Sequence, residues 1–191
     1  MTAGIDMILL NKDSLALNIF EYWDEAFASL PVQEFKYKRW DWAYDKGVPK
    51  VVNPLLQKMF DLMPPDQDLR WLVDYKVREL KAGDCGCKLE GWHLDVVESP
   101  WHDSKPDFHL IYSTEVGTDF LAQPIPSFQD DGHFLRSLEP FNLDYLENHR
   151  VVSSKPNHVS AYNRYQLHRG PIVKRDCKRM LLRLTATEVI K

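Results

Sequence analysis

Leu69-Arg70-Trp71-Leu72-Val73-Asp74-Tyr75-Lys76-Val77-Arg78-Glu79-Leu80 decides the fold, because here the periodicity of the chain changes from helical to two. Val73, Tyr75 and Val77 alternate with Asp74, Lys76 and Arg78, the pattern of a strand with one apolar and one polar face. Ala82-Gly83-Asp84 supplies the turn that ends it. Downstream, residues 92–97, 108–114, 118–123, 151–152, 159–167 and 180–187 read as further short strands. Residues 99–107 hold two prolines and read as a loop. Residues 124–140 are polar and turn-rich, ahead of a short helix predicted over 142–149.

Upstream the pattern is different. Leu15, Ile19, Tyr22, Trp23, Ala26, Phe27 and Leu30 recur at helical spacing, which predicts a helix over 14–30, capped by Asn11 or Asp13 and ended by Pro31. Residues 35–44 are aromatic and alternating, and read as an early strand. A second amphipathic helix is predicted over 53–63, stopped by Pro64-Pro65. Helices followed by six to eight short strands imply an α+β domain, mainly β, built on an antiparallel barrel or sandwich. The expected organisation is a single domain over 1–191, with 1–68 as helical support and 69–191 as a jelly-roll core. No internal repeat, low-complexity tract or linker interrupts it.

Composition narrows the class. The chain has 191 residues, enough for a substantial core, and its 44% apolar content argues against disorder. No apolar run approaches the length that spans a bilayer. Met1 to Leu10 has no basic flank before its apolar patch, so no signal peptide is expected. Three cysteines, Cys85, Cys87 and Cys177, suit a reducing cytoplasm. Cys85-Gly86-Cys87 lacks the further ligands of a structural zinc site and reads as part of a turn. A net charge of −4 gives no global attraction to nucleic acid. Between Arg164 and Arg183, however, seven basic residues meet one acid, Asp176. Such a strip points to a local anionic ligand; a solvated loop would account for Lys174, Arg175 and Lys178 but not for Arg183, inside an apolar run.

The chemistry concentrates in Gly91-Trp92-His93-Leu94-Asp95. Residues two apart in a strand share a face, so His93 and Asp95 project together. A third ligand from a distant strand, for which His168 is the candidate, completes two histidines and a carboxylate on one face of a metal. That set leaves the opposite face open, as a non-haem ferrous oxygenase requires. Among the other histidines, His102 with Asp103 imitates a metal pair, but neighbouring strand residues point apart.

These residues resemble the 2-oxoglutarate- and Fe(II)-dependent oxygenase superfamily, in the compact format of its small bacterial or phage members. The family pattern is an HxD or HxE, a distant His, and an Arg or Lys ten or more residues beyond it. Here it reads Trp92-His93-Leu94-Asp95, then Tyr165-Gln166-Leu167-His168-Arg169-Gly170-Pro171, then Arg179-Met180-Leu181-Leu182-Arg183. The turn at Lys81-Ala82-Gly83-Asp84, and Phe120 after Thr118, are similar too, and the likeness covers roughly 70–187. The resemblance implies a double-stranded β-helix, or jelly roll, and a hydroxylase that releases succinate and CO2. Its cofactors would be Fe(II) on His93, Asp95 and His168, with 2-oxoglutarate and O2 as co-substrates. Asp95 disfavours halogenation, because related halogenases lack that carboxylate.

Arg179 and Arg183 share one strand face, and a guanidinium suits the distal carboxylate of 2-oxoglutarate. Arg179 is the first choice by spacing and Arg183 the second, with one per carboxylate also open. Tyr75 is a candidate hydroxyl donor to the same carboxylate, and Trp101 a candidate substrate contact at the entrance. A small-molecule substrate is favoured over nucleic acid or protein, and no membrane partner is expected. Two rival readings remain: a cupin-like metalloenzyme that does not use 2-oxoglutarate, and a non-catalytic jelly-roll binding protein.

Overall fold

A computed structural model describes residues 15–63, 69–87, 91–93, 106–122, 150–163 and 166–188. These form nine strands: β1 Ala16–Glu21, β2 Gln33–Arg39, β3 Leu69–Leu80, β4 Pro106–Ser113, β5 Asp119–Leu121, β6 Val151–Ser153, β7 His158–Asn163, β8 His168–Arg169 and β9 Cys177–Glu188. The main sheet has the order β1-β7-β4-β9-β3-β2, and a smaller one the order β6-β5-β8. Every pairing in both sheets is antiparallel. The chain is mainly β, with few helices. No helix among the described residues is long and apolar enough to cross a membrane.

The alternation in 69–80 is realised in full: β3 pairs with β9 over twelve residues, from Leu69↔Glu188 to Leu80↔Cys177. Directly opposed residues of an antiparallel pair share a face. Tyr75↔Leu182 and Val77↔Met180 therefore lie on one face, and Asp74↔Arg183 and Arg78↔Arg179 on the other. The first face is covered by α1, Asn53–Phe60, whose Leu55, Leu56 and Met59 are buried against it. Val159 and Ala161 of β7 extend the same core. At the end of β3, Gly83 takes φ 95°, and its N–H donates to Val173 O at 2.8 Å. A side chain there would strain the turn.

The helix predicted over 14–30 is instead the edge strand β1, followed by a single 3₁₀ turn, Glu25–Ser29, which the Asp24 side chain caps at Ala26 N. The cause is a bulge. Asn18 sits at φ 54°, and the register with β7 shifts between Ala16 and Phe20. Four positions of β1 span two of β7, and the two inserted residues let the chain neighbours Ile19 and Phe20 both pack on the core. This breaks the period of two and leaves Leu15, Ile19 and Tyr22 at spacings that imitate a helix. Pairing with β7 then outweighs local propensity. The early strand predicted over 35–44 likewise ends at Arg39 and turns helical over Trp40–Trp42 and Ala43–Gly47. Residues 16–63 thus add the two outermost strands of the main sheet as well as helical cover, where helical support with one early strand is predicted. The helix predicted over 142–149 lies outside the described residues.

Leu56 is fully buried between α1 and the sheet. Leu56→Ala is expected to lower the unfolding free energy by about 2–5 kcal/mol, read as a shift of the urea midpoint at unchanged slope. A cost below about 0.5 kcal/mol, that of an ordinary surface change, would show that α1 does not carry this packing.

Candidate functional site

His93 and His168, 75 positions apart in the sequence, meet in an isolated antiparallel bridge. His93 N–H donates to His168 O at 2.9 Å, and His168 N–H donates to His93 O at 3.0 Å. Opposed residues share a face, so the two imidazoles project together, with ring centroids 4.5 Å apart. In each ring Nδ1 lies 3.1 Å from a backbone carbonyl, Gly91 O for His93 and Gln166 O for His168. A carbonyl only accepts, so Nδ1 donates in both rings, and Nε2 is the nitrogen through which each would take a metal.

Several contacts hold the bridge in place. His168 sits opposite Phe120 of β5, and the ring of Tyr162 packs 5.0 Å from its own. Arg169, the next residue, reaches Asp119 at 3.1 Å and lies 4.6 Å from the Trp92 ring, the neighbour of His93. It therefore clasps the two histidine segments together. Beyond it, Gly170 lies against the 85–87 turn, and a Cβ there would come within 2.5 Å of Cys87 N. Only glycine allows this approach, which brings Cys87 Sγ to 3.9 Å from His93 Nε2.

The same cleft is lined by Lys76 and Arg78 of β3 and by Arg179 and Arg183 of β9, on the sheet face opposite the core. The two arginines named in the sequence have different partners. Arg183 is buried in an ion pair with Asp74, whose other oxygen accepts Tyr37 N–H at 2.6 Å. A second bulge, in β2 with Tyr37 at φ 52°, delivers that N–H. Arg179 is 4% exposed and has no carboxylate partner among the described residues. It donates from Nε to Ser113 Oγ at 2.7 Å, from Nη1 to Gly86 O at 2.5 Å and from Nη2 to Gly117 O at 3.4 Å. A guanidinium has five N–H groups, so one remains on each terminal nitrogen, the fork that takes a carboxylate. Burial lowers the Arg179 pKa to about 10, which leaves it charged at neutral pH and short of an anion.

Tyr75 requires a correction. It pairs with Leu182, is fully buried in the core under α1, and packs 5.7 Å from the Phe35 ring. Its hydroxyl therefore points away from the arginines, because odd and even positions of β3 face opposite sides. Asp95 and Trp101 lie outside the described residues, as does Arg164 of the basic strip. Among the described residues no three His, Cys, Asp or Glu side chains converge as a metal-binding group. The rest of the strip divides: Arg175 pairs at the surface with Glu115, while Arg179 and Arg183 turn inward. Asp74 and Lys76 were not singled out by the sequence, and Cys87 was read as part of a turn. The only signal of Asp74 and Lys76 was alternation with Val73 and Tyr75, which does not tell a cleft from solvent.

No protein-family profile matches the chain, and no curated protein matches it in sequence. Among solved structures it is similar to EvdO2 from Micromonospora carbonacea var. aurantiaca complexed with 2-oxoglutarate. That likeness has 15% identity and a TM-score of 0.50, over 83% of this chain and 67% of the other. A further EvdO2 structure matches at 12% identity and a TM-score of 0.48, over 100% and 84% of the two chains. At such identity the first likeness shows a shared fold and nothing more.

The Asp74–Arg183 pair allows a direct test. Asp74→Ala strands a buried guanidinium and is expected to cost about 3–5 kcal/mol of stability. The double replacement Asp74→Leu with Arg183→Met should restore most of that loss, since an apolar pair of similar volume removes both charges. Urea unfolding of the three proteins measures both effects, and an equally unstable double variant would deny the pairing.

Proposed function

We propose that this chain is a non-haem Fe(II)/2-oxoglutarate-dependent oxygenase that hydroxylates a C–H bond of a small-molecule substrate. Ferrous iron would be held by His93, Asp95 and His168, in two histidines and one carboxylate of a strand HxD. Bound there with 2-oxoglutarate and O2, iron would supply the oxidising chemistry, with succinate and CO2 as co-products. The observation that carries the reading is the coincidence, in one cleft, of two imidazoles anchored through Nδ1 and a buried guanidinium without a carboxylate among the described residues. The donor set fits a divalent metal of intermediate softness. The two sheets suit a jelly roll, and the fold likeness to a protein complexed with 2-oxoglutarate supports that co-substrate.

The protein's own residues then have distinct tasks. Gly91 O and Gln166 O orient the two imidazoles, and the Arg169 clasp keeps their strands in register. Arg179 receives the distal carboxylate of 2-oxoglutarate, prepositioned by Ser113, Gly86 and Gly117. Little is lost in ordering a guanidinium that is already fixed. Arg183, neutralised by Asp74, serves the wall of the cleft. All three cysteines are free thiols, in keeping with the cytoplasmic setting we assign.

His93→Ala, Asp95→Ala and His168→Ala are each expected to abolish Fe(II)-dependent succinate formation from 2-oxoglutarate in a folded protein. His158→Ala should leave it intact. Near-normal succinate release by any of the three ligand variants overturns the metal assignment. Arg179→Met should raise the 2-oxoglutarate requirement by about ten- to a hundredfold without changing Mn(II) affinity, because a charge-assisted pair is lost. Arg175→Met, on the surface, should not. An unchanged requirement in Arg179→Met would move the carboxylate to another cation of the cleft, and the absence of any 2-oxoglutarate turnover in wild type would favour a metalloenzyme that works without it.

A further inference from the structure

The cleft carries more positive charge than its described acids neutralise. Of its four cations, Arg78 is held by Glu34, with Nε at 2.9 Å and Nη2 at 2.5 Å, and Arg183 by Asp74. Arg179 has carbonyl and hydroxyl partners, and its spare fork suits one carboxylate. Lys76 remains. It stands on β3 between Asp74 and Arg78, faces the cleft with the two histidines, and is partly buried. Among the described residues it has no hydrogen-bonded or ion-paired acid. Asp74, its nearest carboxylate in sequence on that face, is already engaged through both oxygens by Tyr37 N–H and Arg183. Glu34, its cross-strand partner on β2, is engaged by Arg78, and a thiol, Cys87, and a second cation, Arg183, share its wall.

Burying an ammonium without a counter-ion is costly, and a side chain as flexible as lysine escapes to water where it can. Burial and the neighbouring Arg183 both push Lys76 below the ordinary lysine range. The cost is recovered when an anion enters. If 2-oxoglutarate spends its distal carboxylate on Arg179 and its keto-acid end at the metal, neither of its charges is left for Lys76.

We infer that Lys76 anchors an anionic group, a carboxylate or a phosphate, on the small molecule that is oxidised. The inference rests on the reading that 2-oxoglutarate occupies Arg179. The substrate is then an acid or a phosphate ester, held by one ammonium so that a C–H bond away from the charged group faces the histidines. A neutral or cationic substrate would leave Lys76 with no acid of its own among the described residues, beside the cations Arg179 and Arg183.

The test uses the full chain loaded with Mn(II) and saturated with 2-oxoglutarate, probed with acetate and, separately, with inorganic phosphate. Paramagnetic relaxation of the acetate ¹³C or the phosphate ³¹P nucleus reports an anion near the metal. Wild type is expected to relax at least one of the probes, and the stronger effect tells carboxylate from phosphate. Lys76→Met should weaken probe binding by about tenfold or more, the loss of a hydrogen bond to a charged group, while Lys76→Arg retains it. Lys76→Gln repeats the test should the Met variant fold poorly. Equal relaxation in wild type and Lys76→Met overturns the proposal, as does the absence of any relaxation in wild type. So does displacement of the probe by 2-oxoglutarate, which would assign Lys76 to the co-substrate. If Mn(II) or 2-oxoglutarate itself fails to bind, the oxygenase reading falls. Calorimetric titration of phosphate into wild type and Lys76→Met then still decides whether Lys76 holds an anion.

Discussion

The reciprocal hydrogen bonds between His93 and His168 are the constraint on which the rest of the site depends. Two backbone bonds join segments from opposite ends of the β region, and antiparallel geometry then sets both imidazoles on one side. A shift of one residue in either segment would turn one ring away. The surrounding structure serves to prevent that slip. Phe120 fixes the register of β8, Gly170 permits the close contact with the 85–87 turn, and Arg169 spans Asp119 and Trp92. Each acts on the backbone, which explains why so short a bridge can hold a site.

Electrostatics divide the two inward arginines more sharply than sequence spacing does. A buried ion pair roughly balances its desolvation cost and is unavailable to a ligand, which describes Arg183 with Asp74. A buried guanidinium served by two carbonyls and a hydroxyl keeps its charge but not its balance, which describes Arg179. The difference was invisible in the chain. It depends on Asp74 lying across from Arg183 in the β3–β9 register, while Arg179 lies across from Arg78, which turns instead to Glu34.

Much of the architecture was nevertheless legible. The period of two in 69–80, 108–114 and 180–187 marks β3, β4 and β9, and the apolar spacing of 53–63 marks α1. Pattern failed where the backbone departs from regular geometry. The bulge at Asn18 made a strand look helical, and a helical turn cut short the aromatic run after Arg39. For the candidate site, the sequence singled out His93 and His168, which the structure brings together, because their residue types are informative. It misassigned Tyr75 because alternation gives the relative facing of residues and not the identity of each face. Lys76 went unnoticed for the same reason: lysine on a polar face usually meets water, and here it meets a cleft.

The two bulges have a consequence for how molecules of this protein meet one another. Among the described residues β1 and β2 are the outermost strands of the main sheet, and such margins expose N–H and C=O groups that can recruit a neighbour's strand. Asn18 and Tyr37, each with positive φ, interrupt those two rows near their middle. On β2 the interruption is flanked by Glu34, Lys36, Lys38 and Arg39. Neither margin offers an unbroken, uncharged template, so crowded copies have little to add a strand to. The irregularity that hid β1 from the sequence thus also guards against sheet-to-sheet aggregation.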